Sequence, residues 1–191
     1  MPELYLFRHG KRHIDTREVT GDGPLTFFGG QQVQVSAEDL RNRLHAKRVR
    51  HIDAIVSGSI RCAQTFGIIW EMFHSLKQRR ILIRTYDMDR RYFCTPTEGI
   101  LWSLMYEAHG EELQRCIERV GEKTAVLNCA GDLVRPCVRR TVNGIKKALE
   151  GGSDRILVVT HAPHDTLIEE HFTGKPVDAC LGLGQYKIVR F

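Results

Sequence analysis

Three short apolar runs in this chain each end in residues able to handle an oxyanion. Leu4 to Phe7 runs into Arg8, His9 and Gly10; Ile52 to Val56 runs into Ser57, Gly58, Ser59 and then Arg61; Ile156 to Val159 runs through Thr160 into His161. A guanidinium presents a planar fork of N–H donors that matches phosphate oxygens, and an imidazole either attacks phosphorus or holds its oxygens. If the three runs are neighbours in one sheet, two arginines and two histidines meet at one edge and make a compact cationic pocket for a tetrahedral dianion. Phosphoryl transfer through a covalent intermediate suits such a pocket. A neutral imidazole nitrogen attacks in line, and Arg8, Arg61 and a protonated His161 stabilise the equatorial oxygens. A carboxylic acid protonates the departing oxygen, and water hydrolyses the phosphohistidine. The arginines supply the charge that a magnesium ion supplies elsewhere, so neither a metal nor another cofactor is expected.

The elements that must position these groups are legible in the spacing of apolar residues. Leu4 to Phe7 shows no polar alternation, the pattern of a strand covered on both faces. Gly10 permits a sharp turn beside a bound group, and ligands of open α/β sheets sit at the carboxyl ends of strands. After a loop ending in Gly21, Asp22, Gly23 and Pro24, Thr26 is placed to cap a helix whose buried face is Val33, Ala37, Leu40 and Leu44, running to about Ala46. Ala63, Phe66, Trp70 and Phe73 mark the buried side of a second helix, which puts Arg61 in its first turn, where unpaired N–H groups favour anions. A third strand is expected at Ile81 to Ile83, and a helix through Val138, Val142, Ile145 and Leu149, closed by Gly151 and Gly152. A short helix at Asp165 to His171 and a strand from Tyr186 to Phe191 finish the chain. Strands alternating with helices predict one domain over 1–191, a three-layer α/β/α sandwich around a mostly parallel sheet. Residues 92–131, where the pattern loosens, read as a small cap inserted over the site, with one or two helices between Ile100 and Val120.

Together these segments resemble the histidine phosphatase superfamily, which includes the cofactor-dependent phosphoglycerate mutases and the histidine acid phosphatases. Arg8, His9 and Gly10 stand where that family has its signature, which implies His9 as nucleophile. Leu25, Thr26, Gly29 and Gln32 match its Leu-Thr-x-x-Gly-x-x-Gln segment. Ser57, Arg61, Cys62, Gln64 and Thr65 match its Ser-Pro-x-x-Arg-Ala/Cys-x-Gln-Thr segment, and Val158 to Ala162 matches the strand that delivers the second catalytic histidine, His161. The segments follow the family's order along nearly the whole chain. Lys11, Arg12 and Asp15 stand where many members carry Glu, Thr and a later Asn, Gly58 replaces the usual Pro, and Ala162 the usual Gly. An arginine two residues after the signature glycine is similar to that of the acid phosphatases, which implies Arg12 as a further phosphate ligand. Met88 to Tyr92 resembles the mutase-like segment in which a Glu before Arg is the proton donor. That resemblance implies Asp89, with Asp87, Glu98 and Asp165 as rivals.

Other readings have less support. Cys129 and Arg135 satisfy the Cys-x5-Arg spacing of cysteine phosphatases, but Pro136 stands where those enzymes place Ser or Thr. His161 and His164 have ligand-like spacing without a third ligand. The net charge of +5, from 28 basic and 23 acidic residues scattered without blocks, fits a pocket for anionic substrates and also a weak nucleic-acid surface and favours neither strongly; nucleic-acid binding ranks last among the readings. Six cysteines with no Cys-x-x-Cys pair, no leader pattern at the start and no apolar run of membrane-spanning length together predict a cytoplasmic protein with no membrane association. The expected activity is a metal-independent phosphatase acting on a phosphorylated small molecule or a phosphoprotein and releasing inorganic phosphate. Mutase activity is less expected, because the chain is short for that family's added loops. The alternative is a weak or inactive phosphate-binding module of the same fold.

Overall fold

The computed structural model describes residues 1–13, 23–75, 81–87 and 112–191. Five strands form one sheet in the order β3-β2-β4-β1-β5: β1 Glu3–Arg8, β2 His51–Val56, β3 Leu82–Asp87, β4 Arg155–Thr160 and β5 Tyr186–Arg190. The β1/β4, β4/β2 and β2/β3 pairs are parallel, and β5 runs antiparallel along β1. Among the described residues five helical segments accompany them: α1 Phe27–Ala46, α2 Ile60–His74, α3 through 112–120, α4 Glu122–Glu150 and α5 His164–Thr173.

Side chains of β1 and β4 alternate between two apolar layers, which is why Leu4 to Phe7 and Ile156 to Val159 lack polar positions. Tyr5, Phe7, Val56, Leu157 and Val159 pack against α1 and α2 through Val33, Ala37, Leu40, Leu44, Phe66, Ile69 and Phe73. Leu4, Leu6, Ile156 and Val158 face the other way, onto Val134, Val138, Val142 and Ile145 of α4 and Ile168 of α5. The result is the expected three-layer sandwich with a mostly parallel sheet.

Thr26 caps α1 as expected, its hydroxyl accepting from the Gly29 N–H at 2.9 Å, and the four spaced apolar residues of that helix are all fully buried. Ser59 does the same for α2, accepting from the Cys62 N–H. Trp70 departs from expectation: it is 40% exposed and stacks on His74, with ring centroids 4.2 Å apart. The buried stripe of α2 instead follows Cys62, Thr65, Phe66, Ile69 and Phe73, and Trp70, one residue and so about 100° on from Ile69, falls on its flank. β3 extends beyond its apolar start because it is an edge strand, where Arg84 reaches solvent and pairs with Asp53 at 3.1 Å. α4 is much longer than the apolar spacing of 138–149 predicts. Its first part holds Gly131 and Pro136, both helix-breaking in sequence, and its backbone breaks from helical geometry at Ala130. Of the stretch 92–131, read from the sequence as an inserted cap, 92–111 lies outside the described residues, while 122–131 forms the start of α4, with Val126 packed into the core.

The signature loop after β1 is pinned on three sides. The His9 N–H donates to Thr160 O at 3.2 Å, the Gly184 N–H to His9 O at 2.9 Å and the Thr26 N–H to Lys11 O at 2.8 Å. Gly10 and Gly29 are required here: a Cβ on Gly10 would lie 2.3 Å from Gly29 O, and one on Gly29 would lie 2.0 Å from Lys11 O. The loop therefore rests directly on the first turn of α1.

The packing of α2 makes a stability prediction. Phe73→Ala, at a fully buried site, is expected to cost about 3–5 kcal/mol in equilibrium urea unfolding. Trp70→Ala should cost about 1 kcal/mol or less.

Candidate active site

Parallel register brings the sequence-predicted residues to one edge. Arg8 is paired with Thr160 across β1 and β4, so the next residues, His9 and His161, leave the sheet side by side. Their ring centroids are 5.2 Å apart in an edge-to-face arrangement. Ser57 follows β2 and donates its N–H to Val159 O at 3.0 Å, which carries the ladder one step past the strand and sets the height of α2. Arg61, in the first turn of that helix, then reaches back, and its Nε–H donates to His9 Nε2 at 3.2 Å.

The hydrogen bonds assign the tautomer of His9. Nδ1 lies 2.7 Å from the Gly10 carbonyl oxygen, which only accepts, so Nδ1 carries the proton and Nε2 presents its lone pair toward Arg61. Burial, reinforced by the Arg61 guanidinium and more weakly by Arg8 and Arg12, pushes His9 down to about 3. His161 is also held well below its ordinary range, first by burial and then by the Arg61 guanidinium, with Arg8 adding less. The ring is oriented by the Ser57 hydroxyl, 2.8 Å from Nε2, with Ser59 Oγ and the buried Cys62 Sγ each at 3.5 Å. Both imidazoles are thus neutral in a pocket walled by arginines.

Arg8 lies at the back of the pocket, and its guanidinium donates to both oxygens of Glu122, at 2.9 and 2.8 Å, and to Leu181 O at 2.6 Å. Arg12 makes a bridge with Leu25 beside the loop, and its charge is felt at His9. Among the carboxylates considered for proton donation, Asp89 and Glu98 lie outside the described residues, and Asp87 ends β3. Asp165 is buried behind the pocket; its Oδ2 accepts from the Leu181 N–H at 2.7 Å, Oδ1 has no partner, and burial raises its pKa. Cys129 and Arg135 both lie within α4, not in a loop between a strand and a helix, so the cysteine-phosphatase spacing builds no phosphate cradle. Among the described residues no cluster of three or more His, Cys, Asp or Glu is placed to hold a metal ion.

The model of the histidine phosphatase superfamily (branch 1) matches residues 4–187, which include every one of these groups. The chain belongs to that superfamily. None of the curated protein sequences matches this chain. Among solved structures it is similar to the protein histidine phosphatase SixA complexed with tungstate, at 14% identity over 97% of this chain and 93% of that one, TM-score 0.57. It is likewise similar to a phosphoglycerate mutase from Bacillus anthracis str. Sterne, at 18% identity over 98% and 91%, TM-score 0.55. A mycobacterial glucosyl-3-phosphoglycerate phosphatase matches at 16% identity over 98% and 89%, TM-score 0.53. At these identities the likeness speaks for the fold. The sequence motifs contain Ser57 without marking it as the partner of His161, and they give no sign of Glu122 as the partner of Arg8. The second pairing spans 114 positions and leaves no local signal.

The depressed His9 links pH to stability. An unfolded histidine titrates near 6.5, so between roughly pH 6.5 and the folded value of about 3 the unfolded chain holds a proton that the folded chain does not, and acid destabilises the fold. Going from pH 7 to pH 5 should remove up to about 2 kcal/mol through this residue. Urea titrations at a series of pH values should show that His9→Asn loses correspondingly less.

Proposed function

We propose that this chain is a phosphomonoester hydrolase working through a phosphohistidine on His9. The observation that carries the reading is His9 Nε2, left unprotonated by the Nδ1 contact to Gly10 O, accepting from the Arg61 Nε–H and standing beside His161; a phosphoryl oxygen that takes over the Arg61 donor frees the lone pair for attack. In the first step Nε2 bonds to phosphorus as the ester P–O bond breaks, and a carboxylic acid, for which Asp89 is the choice, gives its proton to the departing alkoxide. In the second, water oxygen bonds to phosphorus as the P–N bond breaks and the water passes a proton to that carboxylate, releasing inorganic phosphate and the free imidazole. Arg8, Arg61 and Arg12 hold the equatorial oxygens, preorganised for the charge that develops there.

His161 takes part by changing its protonation state. Its low basicity in the free pocket comes from burial and nearby cations, and a bound dianion reverses the sign of that local field. The protonated ring then donates to a phosphoryl oxygen. Because the guanidiniums provide the positive charge, no metal enters either step. A phosphorylated small molecule or a phosphoprotein side chain is the substrate class, and transfer to water is favoured over mutase chemistry. We place the protein in the cytoplasm, with no nucleic-acid or membrane partner. The free thiols of the five described cysteines fit that placement.

Release of phosphate from para-nitrophenyl phosphate tests the reading. His9→Ala is expected to abolish turnover, by at least about 10³-fold, and Arg61→Ala to lower kcat/KM by about 10²–10³-fold. Alkaline quenching of the wild type during turnover should trap an acid-labile phosphohistidine that His9→Ala lacks. Phosphate binding without turnover in the wild type would identify a binding module instead. Calorimetry of inorganic phosphate binding near pH 7, in buffers of different ionisation heat, should show proton uptake on binding, and His161→Asn should abolish that uptake.

A further inference from the structure

Arg8 closes β1 and is shielded from solvent, with its side chain 13% exposed. Its Nη1 donates to Glu122 Oε2 and to Leu181 O, and its Nη2 donates to Glu122 Oε1. These bonds occupy the outer edge of the guanidinium. The adjacent edge, formed by Nε–H and the remaining Nη2–H, points its two donors in parallel, and Nε is buried with no partner. Two oxygens of a tetrahedral anion fit that edge, provided the plane of the guanidinium is fixed.

What fixes the plane comes from far along the chain. Glu122 is the first residue of α4, and the preceding Gly121 has φ +82°, a left-handed conformation that lets α3 stop and α4 begin at once. The carboxylate therefore sits on a helix end whose later turns are anchored in the core through Val126, Val134 and Val138. On the other side, Leu181 is held by its own N–H to Asp165 Oδ2. Arg8 is gripped by a carboxylate and a carbonyl, each backed by a rigid element.

We propose that Glu122 is a positioning residue for phosphate capture: by holding the outer edge of Arg8, it aims the Nε/Nη2 edge at the oxyanion. This inference rests on the reading of the pocket as a phosphate site. Glu122 carries the same sign as the substrate and touches it nowhere; it acts through Arg8. A structural salt bridge alone would alter stability and leave binding untouched. A carboxylate that merely competes for Arg8 would weaken phosphate binding, so that its removal tightens it.

The test is a double-mutant cycle on the full chain, read by para-nitrophenyl phosphate turnover and by product inhibition with inorganic phosphate. Glu122→Ala is expected to raise KM and the phosphate inhibition constant and to lower kcat/KM on the order of 10- to 100-fold. Glu122→Gln, which keeps the shape and one acceptor oxygen, should recover part of the loss and guards against misfolding of the alanine variant. In an Arg8→Ala background, Glu122→Ala should change nothing further. Unchanged kinetics in both Glu122 variants, tighter phosphate binding, or an equal loss in the Arg8→Ala background would each overturn the inference while leaving the phosphatase reading intact. A wild type that neither turns over the ester nor binds phosphate would overturn both.

Discussion

Everything at this site depends on the parallel pairing of β1 with β4. Arg8 and Thr160 are partners in that ladder, so the residues that follow them emerge together although they are 152 positions apart in sequence, from 9 to 161. A parallel pair keeps both carboxyl ends at the same edge, and its buried faces allow no slip of register without exposing Tyr5, Phe7, Leu157 or Val159. The same apolar packing that stabilises the domain therefore sets the distance between the two imidazoles.

The pocket puts neutral histidines among permanent cations, and the two facts have one cause. Guanidiniums keep their charge when partly buried, whereas an imidazole under the same conditions gives up its proton. A ring without that proton is a nucleophile, and a cationic wall without an anion has strong reason to take one up. Burial and neighbouring charge act in the same direction on His9, and only the Gly10 carbonyl opposes them.

Much of the fold was legible because its signals are local. The spacing of Val33, Ala37, Leu40 and Leu44, the cap at Thr26 and the uninterrupted runs of Leu4 to Phe7 and Ile156 to Val159 each report burial within a few residues. Where sequence reasoning failed, geometry or tertiary context won. Trp70 reads as core by its type, yet the phase of α2 sets it on the flank. The first part of α4 falls in the stretch 92–131 that reads as an inserted cap of loosened pattern, yet packing of Val126 and Val134 on the sheet carries it as helix through Gly131 and Pro136. In the site, Arg8, His9, Arg61 and His161 could be named from strand ends alone. The carboxylate that pairs with Arg8 could not, since nothing near residue 122 announces a partner at residue 8.

The contact between Gly10 and Gly29 has a mechanical side. Two backbones this close, with no side chain between them, leave no compliant layer, so the loop bearing His9 and the first turn of α1 shift only as one piece. α1 is 20 residues long, and its inner face is clamped in the core along its length. The His9 ring is in effect carried on the tip of a rod whose shaft is set in the apolar core, and its position is as steady as that mounting.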